Sequence, residues 1–426
     1  MRFGIFYEHQ LPRPWPEGAE EKLLTDALEQ VELADRVGID YVWEVEHHFL
    51  EEYSHSSAPE VFLAAASQRT KRIRLGHGIV QIPPGFNHPA RVAERVATLD
   101  LISGGRVEFG TGESSSQVEL GAFGVDREAK RAQWEESLDV ITRMFCEEPF
   151  QGYDGQFVSM PPRSVVPKPK QRPHPPLWVA CSRRETILLA AKRGIGALTF
   201  AFVDTSEAKK WVDDYYATLK NECVPIGHTI NPNICMVTGF SCHADEQEAI
   251  KRGLDGFLFF GYGLGHHYIF GEHKPGRTSI WERFEQARKH MPTEGSNRGI
   301  GTPRQLRDHL RGFADAGVDQ VTFIQQAGRN KHEHICESLE LFSKEVMAEF
   351  HDEDAARQQK KMAELAPYME AAMKRKQWMK GLEDDQIPTL LALGRQITEV
   401  SQGVAGQAAG GGAAIAIPLE DPANKR

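Results

Sequence analysis

Short apolar stretches alternate along the chain with longer segments whose apolar residues recur every three or four positions. The first pattern predicts buried strands and the second predicts amphipathic helices. Strands are predicted over residues 2–7, 40–45, 73–82, 106–110, 177–180, 197–202, 234–240 and 318–325. A helical pattern follows each strand, and glycines end two of these helices, at Gly38 and at Ser103-Gly104-Gly105.

Eight such strand–helix units predict an α/β fold, a (β/α)8 TIM barrel over residues 1–350. The alternative is an open, doubly wound sheet. Two segments break the rhythm and are predicted to be insertions. Residues 152–176, after strand four, are rich in proline, and residues 257–297, after strand seven, are rich in glycine, histidine and aromatic residues.

Residues 351–426 differ in character from the rest. Residues 351–386 are highly charged, with apolar residues at roughly helical spacing, and residues 404–416 are rich in glycine and alanine. This composition predicts a C-terminal helical arm followed by a flexible tail. We interpret residues 351–426 as a peripheral segment or as one that stabilises an oligomer.

Composition narrows the class of protein. The formal net charge of −10 argues against nucleic acid or an anionic membrane as the main partner. No apolar run approaches the roughly 20 residues that a bilayer-spanning helix needs, and the N-terminus lacks the pattern of a signal peptide. The six cysteines include no CxxC pair, so neither a zinc site nor a disulfide framework is indicated. A cytoplasmic location is the simplest expectation.

The run Glu46-His47-His48 follows predicted strand two. Active sites of parallel α/β proteins lie at the carboxyl ends of their strands, and imidazole exchanges protons near neutral pH. The functional interpretation is therefore an acid/base group, and the structural one is a satisfied polar cluster. A metal site is less favoured, because neighbouring strand residues point to opposite faces. It would recruit histidines of the second insertion, namely His266, His267 and His273.

Three further segments would share that rim of the barrel. Gly76 and Gly78 leave bare backbone in strand three, which allows a flat group to approach or forms a simple bulge. Gly112 and the serines after it leave room beyond strand four. Ser182-Arg183-Arg184, at a helix start after strand five, would suit a phosphate or would simply be surface arginines.

At these residues the chain resembles the bacterial luciferase-like family of flavin-dependent monooxygenases, over about residues 1–350. The resemblance is carried by Phe3-Gly4-Ile5-Phe6, Glu46-His47-His48-Phe49, the segment 76–89, Ser103-Gly104-Gly105-Arg106-Val107-Glu108-Phe109-Gly110 and Gly301-Thr302-Pro303. It implies a (β/α)8 barrel that binds reduced FMN at the carboxyl ends of its strands. In that family a catalytic histidine falls on His47, with His48 in the site and a nearby carboxylate on Glu119.

The resemblance also implies cofactor contacts. A non-proline cis peptide beneath the flavin ring falls on Gly78-Ile79, and the phosphate contacts fall on Ser182 with Arg183 or Arg184. An arginine early in helix four matches Arg131.

Two features depart from a simple match. The family's phosphate-binding arginine after strand four is replaced by Glu113, which shifts the phosphate role toward Arg131, Arg183 and Arg184. Strict strand alternation would place His48 with Glu44 and Glu46 on one face and His47 on the other, so the strand must bulge or end before His47 if His47 is to face the flavin.

The functional hypothesis is a two-component monooxygenase. Reduced FMN from a separate flavin reductase, with dioxygen, would oxygenate a small, mainly apolar substrate, with His47 as acid/base. The insertions would supply aromatic walls, namely Phe257, Phe259, Phe260, Tyr262, Tyr268 and Phe270. The alternatives are a deazaflavin-dependent hydride-transfer enzyme, a non-catalytic flavin-binding protein and, less favoured, a metal-dependent hydrolase. Family analogy implies a homo-oligomer.

Overall fold

Eight parallel strands close into a barrel in a computed structural model of the protein. Each strand pairs with the next one along the chain, and the first also pairs with the last. The strands are β1 (Arg2–Tyr7), β2 (Tyr41–Glu44), β3 (Arg74–His77), β4 (Val107–Gly112), β5 (Leu177–Cys181), β6 (Gly196–Thr199), β7 (Ile234–Gly239) and β8 (Gln320–Gln326). The predicted TIM barrel is therefore confirmed, and the open sheet is wrong.

Helices follow the strands in the predicted order and cover the barrel. They are α1 (Ala19–Val37), α2 (Pro59–Arg69), α3 (Pro89–Ile102), α4 (Gln117–Ala122), α5 (Lys130–Cys146), α6 (Arg184–Arg193), α7 (Thr205–Glu222), α8 (Glu246–Gly265), α9 (Ile280–Ala287), α10 (Pro303–Asp315), α11 (His332–Phe342) and α12 (Ala348–Arg375). Gly38 ends α1 with a φ of 103°, a left-handed conformation that glycine adopts without strain. Short α4 has no counterpart in the sequence prediction.

The structure describes residues 1–200, 202–295, 298–379 and 381–391. Residues 1–379 form one compact unit. In a second unit, from Lys380 onward, the described residues include a short 3-10 turn, Asp384–Gln386. The Gly/Ala-rich segment 404–416 lies outside the described residues. None of the helices in the described ranges combines the length and apolar character that crossing a membrane requires.

Both insertions lie where the sequence predicts them. The first carries a two-stranded hairpin, Tyr153–Asp154 with Ser159–Met160. The second contains the last part of α8, which continues to Gly265, and a π-helical turn, His266–Phe270. The helix continues because its aromatic residues pack on two sides, with Phe260 near the barrel residue Phe6 and Phe259 against Trp281 of α9.

Predicted strand 73–82 is divided in two. After β3 the chain leaves the ladder at Gly78-Ile79 and forms a second short strand, Val80–Gln81, which pairs with the end of β4. The cis peptide implied for Gly78-Ile79 is wrong, because the cis bonds of the described residues all precede proline. Hydrogen bonds on both sides hold this peptide, from Gly78 N–H to the Glu44 carbonyl (2.6 Å) and from Glu46 N–H to the Ile79 carbonyl (2.9 Å).

The closing helical segment extends beyond the predicted barrel boundary at residue 350. A π-helical turn, Ser343–Met347, joins α11 to α12, and α12 runs through to Arg375. It packs at the amino ends of the strands, where the Met1 ammonium group lies 3.0 Å from Asp354 and Lys361 lies 2.8 Å from Asp319. The arm therefore covers the end of the barrel opposite to the predicted site.

Gly110 marks the tightest approach between β3 and β4. A Cβ at this position would lie 2.0 Å from the His77 carbonyl oxygen, where the chain leaves β3. A backbone oxygen cannot move aside for an added Cβ in the way that the end of a flexible side chain can. Glycine is therefore required here by packing rather than by turn geometry.

Gly110→Ala should lower the free energy of unfolding by about 1–3 kcal/mol or more, because overpacking forces the two strands apart. The measurement is the urea midpoint. The matched control is Gly261→Ala on an exposed face of α8, where a Cβ would meet no atom within 4 Å. That variant should be neutral or more stable by about 0.5–1 kcal/mol, and equal destabilisation of both would contradict the assignment.

Candidate active site

His47 lies just beyond the carboxyl end of β2. The strand ends at Glu44, so the alternation of faces no longer governs the residues that follow. The His47 N–H donates to the Ser56 carbonyl (2.7 Å) rather than to a neighbouring strand. The two imidazoles consequently point into different surroundings, and the conflict between His47 and His48 that alternation raised does not arise.

The Glu119 carboxylate organises this end of the barrel. It is fully buried on α4 and accepts hydrogen bonds from His47 Nδ1 (3.0 Å), the His48 backbone N–H (2.9 Å) and the Gln81 amide (2.8 Å) on one oxygen. Its other oxygen accepts from the Ser114 hydroxyl (2.6 Å). One side chain therefore joins the segments that follow β2, β3 and β4.

A second carboxylate faces the same imidazole. Glu8 directly follows β1, is buried, and has Oε2 3.7 Å from His47 Nε2. Its Oε1 accepts from the Tyr53 hydroxyl at 3.1 Å, whereas Oε2 has no hydrogen-bond partner among the described residues. The gap of 3.7 Å is too long for a hydrogen bond, so His47 Nε2 faces a carboxylate without being bonded to it.

These charges set the protonation of the site. Burial opposes a charge on His47, but Glu119 and Glu8 outweigh it and raise the pKa of His47 to about 9. Burial also disfavours the Glu119 anion, but His47, Ser114 and the His48 N–H lower its pKa to about 2. Burial raises the pKa of Glu8 to about 7, against the opposing effect of His47. At neutral pH the site thus holds an imidazolium, a carboxylate and a group that readily exchanges its proton.

His48 belongs to a neighbouring network. Its Nε2 lies 3.1 Å from Glu46, and its ring packs edge-on against Phe123 with centroids 4.9 Å apart. Glu46 also accepts from the Gln81 backbone N–H (2.7 Å) and the Asn87 amide (2.8 Å). His48 is therefore at the site but is bonded to its own carboxylate, and it supports the loop rather than contacting the Glu8 side.

Side chains already fill the space beside the glycines of β3 and β4. A Cβ on Gly76 would lie 2.2 Å from the Trp43 ring, and one on Gly112 would lie 2.5 Å from Ile79. A Cβ on Gly78 would lie 3.1 Å from Trp43. The glycines therefore allow Trp43 and Ile79 to pack inward, which places the Ile79 side chain over the end of β4.

The residues predicted to bind phosphate lie at the turn from β5 to α6. Ser182 and Arg183 are exposed just before the helix, and the described residues contain no ion pair of Arg183. Arg184 differs, because its guanidinium is paired with Asp214 of α7 at 2.5 Å and is half exposed. Helix-terminal N–H groups, a hydroxyl and the Arg183 guanidinium are suitable donors to a phosphate.

The Glu113 carboxylate near this turn has two cationic partners. It pairs with Arg131 (2.9 Å) and Lys130 (3.2 Å) at the start of α5. Two cations compensate one carboxylate, so the repulsion of phosphate that Glu113 alone would exert is offset. Arg131 is therefore near the predicted position but already has an anionic partner.

Aromatic residues surround the mouth of the barrel. Phe6 packs against Phe200 (5.1 Å between centroids) and Phe260, and Phe202 packs edge-on against Phe257 (5.0 Å). Tyr268, from the second insertion, lies 6.4 Å from the His47 ring. Three of the six aromatic residues predicted as walls lie elsewhere. Phe259 and Tyr262 pack in the insertion's own small core, with Trp281 and Phe284, and Phe270 is exposed and packs against Tyr262.

A family model described as luciferase-like monooxygenase matches residues 1–320. The chain belongs to the luciferase-like monooxygenase family.

Among its relatives is the oxygenase component of a flavin-dependent trigonelline monooxygenase from Acinetobacter baylyi. It is 26% identical over 360 residues, which cover 83% of this chain and 96% of that protein. An uncharacterized protein of Sinorhizobium fredii is 35% identical over 173 residues, or 40% of this chain. In that match the chain spans about half of the relative's length, 48%.

Solved structures share the fold. The monooxygenase RslO1 from Streptomyces bottropensis aligns with a TM-score of 0.67 and 26% identity, over 82% of this chain and 100% of that one. An F420-dependent secondary alcohol dehydrogenase aligns with a TM-score of 0.61 and 16% identity, over 81% of this chain and 98% of that one. The second likeness concerns the fold alone.

The sequence analysis missed several polar residues of this candidate site. Glu8 directly follows β1, just as Glu46 directly follows the predicted strand 40–45, so the rule applied to strands two to five would have found it on strand one. Tyr53 and Gln81 give no comparable signal, because their contacts depend on how loops return to the barrel. Ser114 is one of the serines noted after Gly112, but its contact with Glu119 is not evident from the sequence. Ser114 adopts a φ of 57°, which the loop around Glu119 imposes.

Stability should fall above neutral pH because of His47. A group whose pKa is higher in the folded state stabilises the fold below its unfolded pKa, and this contribution is lost as pH rises through the folded pKa. For His47 the window runs from its ordinary 6.5 to about 9. At about 1.4 kcal/mol per pKa unit, the loss is at most about 3.5 kcal/mol.

The measurement compares urea midpoints near pH 7 and pH 9.5 for the wild type and Glu119→Gln. The variant should lose less stability over this interval, because His47 no longer has its main anionic partner. Ser114→Ala, which keeps the carboxylate, serves as the control and should follow the wild type. Identical pH slopes in Glu119→Gln and the wild type would contradict the assignment.

Proposed function

We propose that the protein is the oxygenase component of a two-component flavin monooxygenase, with reduced FMN as its cofactor. The observation that carries the proposal is the His47 imidazole held between the buried carboxylates of Glu119 and Glu8, at the carboxyl end of a luciferase-like barrel. A proton donor at this position is what oxygen activation by a reduced flavin requires of the protein.

The residues present fit the phosphate of FMN. The hydroxyl of Ser182, the guanidinium of Arg183 and the first N–H groups of α6 converge on one turn, and Lys130 and Arg131 add positive charge nearby. Ser182 and Arg183 would therefore hold the phosphate, and Arg131 would contribute through its field. We assign Arg184 a lesser share than the sequence suggested, because it is paired with Asp214.

Bound reduced flavin supplies the electrons for the reaction with dioxygen. His47 would hold a proton on Nε2, the atom that lies 3.7 Å from Glu8. Glu119, bonded to Nδ1, would fix the ring and keep it charged. Glu8 would accept or return the proton, because its pKa of about 7 lets it change protonation at working pH.

The substrate is proposed to be small and mainly apolar. Phe6, Phe200, Phe257 and Phe260 lie around the barrel mouth and offer an apolar wall that excludes water. The phrase "oxygenase component" in the name of the trigonelline relative supports a separate flavin reductase as the partner.

Arg183→Ala should weaken binding of FMN by about 10-fold or more, because a charge-assisted hydrogen bond to phosphate contributes about 1.5–3 kcal/mol. The measurement is fluorescence titration with FMN and with riboflavin, which lacks the phosphate. Arg184→Ala is the matched control, since its guanidinium already pairs with Asp214. Equal losses in both variants, or a loss that is the same for riboflavin, would contradict the phosphate assignment.

The reaction itself is tested by labelling. The wild type, given reduced FMN and ¹⁸O₂ with a panel of small apolar compounds, should transfer one labelled oxygen atom to a product, read by mass spectrometry. His47→Gln should bind reduced FMN as tightly as the wild type but form labelled product about 10²–10⁴-fold more slowly. The exposed His290→Gln is the control and should behave as the wild type.

A deazaflavin-dependent hydride-transfer enzyme is the second candidate. It is favoured by the fold that the chain shares with the F420-dependent dehydrogenase. Such an enzyme would turn over without oxygen and would place no label in the product. Tight binding of a reduced deazaflavin, with no binding of reduced FMN, would therefore replace the first proposal by the second.

A further inference from the structure

Three histidines of the second insertion converge on one point outside the proton-handling site. Each of His266, His267 and His273 offers one ring nitrogen, and these three atoms all lie within 4.8 Å of one another. His266 Nε2 and His273 Nδ1 lie 3.4 Å apart. Nitrogens around a tetrahedral Zn²⁺ ion, each about 2.0–2.1 Å from the metal, lie roughly 3.3 Å apart. Small side-chain adjustments would therefore complete the set.

Hydrogen bonds on the far side of two of the rings determine which ring nitrogens can bind a metal ion. His267 Nε2 lies 3.2 Å from the Leu50 carbonyl, and His273 Nε2 lies 3.2 Å from the Glu51 carboxylate. Both partners only accept, so both Nε2 atoms carry the hydrogen and both Nδ1 atoms present a lone pair. Metal-bound histidines show the same pattern, with the second nitrogen donating to a carbonyl or carboxylate.

The lone pair of His267 supports the inference independently. Its Nδ1 is buried and has no hydrogen-bond partner among the described residues. A buried polar atom without a partner destabilises a fold unless something compensates it. A metal ion at the centre of the three rings would use the His267 lone pair.

We propose that His266, His267 and His273 bind a divalent transition-metal ion, with Zn²⁺ as the representative, at the junction of the second insertion and the loop after β2. Imidazole nitrogens are suitable ligands for Zn²⁺ and its neighbours in the first transition row. Three histidines leave a fourth position for water.

The bound ion would hold the second insertion against the loop after β2. Its outer partners, Leu50 and Glu51, lie in the loop that also carries Tyr53, and Tyr53 donates to Glu8. The His267 ring packs against Tyr53 with centroids 5.7 Å apart. Glu51 further accepts from the Gly276 N–H (2.6 Å) and pairs with Arg13 (2.7 Å). Metal binding would therefore join residues 266–276 to the loop beside the proton-handling site.

The test uses tag-free full-length protein, treated with chelator and titrated calorimetrically with Zn²⁺, with Co²⁺ as the probe of tetrahedral coordination by visible absorbance. The wild type should bind one equivalent of Zn²⁺, and its melting temperature should rise with Zn²⁺ concentration. His273→Ala and His267→Gln should weaken binding by roughly 100-fold or more, since loss of a ligand exceeds the effect of losing an outer hydrogen bond.

His290→Ala is the matched control, because His290 is an exposed histidine within the same insertion. It should bind Zn²⁺ as the wild type does. Wild-type protein that binds less than one equivalent would overturn the proposal, even if a variant failed to fold. Binding that persists in His273→Ala and His267→Gln but is lost in His47→Ala would also overturn it, because it would place the ion at the other site.

Discussion

The buried carboxylate of Glu119 is the constraint on which the site depends. Four donors from the segments that follow β2, β3 and β4 converge on it. A fully buried carboxylate is stable only when its oxygens are satisfied and its charge is compensated. The hydrogen bonds provide the first condition and His47 provides the second, so the geometry and the protonation of the site share one cause.

Charge balance explains why the imidazole and the carboxylates occur together. A neutral His47 would leave Glu119 and Glu8 facing each other without a cation, whereas a charged His47 keeps Glu119 ionised and leaves Glu8 close to its midpoint. The same arrangement that stabilises the loops therefore holds one proton firmly and a second one loosely. At the turn that we propose binds phosphate a similar balance holds, because Lys130 and Arg131 compensate Glu113.

Periodicity was sufficient for the barrel, because each strand and its helix bury a continuous apolar face that the 2- and 3.6-residue patterns reveal. Periodicity was insufficient to predict the site at the carboxyl ends of the strands, because the strand and helix patterns stop there. His47 and Glu119 lie far apart in sequence and meet through the short α4, which has too few residues for a helical pattern. Glu8 was within reach of the strand-end rule, whereas Tyr53 depends on a loop containing Phe49 and Glu51 at positive φ. The prediction of a cis bond at Gly78-Ile79 was wrong. It rested on the family resemblance alone, and no local pattern in the sequence supported it.

The central claim is that His47 is an imidazolium at neutral pH, and ¹⁵N NMR of histidine-labelled protein tests it most directly. The ring resonances of His47, assigned by comparison with His47→Gln, should show both nitrogens protonated at about pH 7.5 and should titrate near pH 9. Resonances of a neutral ring at about pH 7.5, titrating near its ordinary value of 6.5, would contradict the account, because Glu119 would then be paired with an uncharged donor.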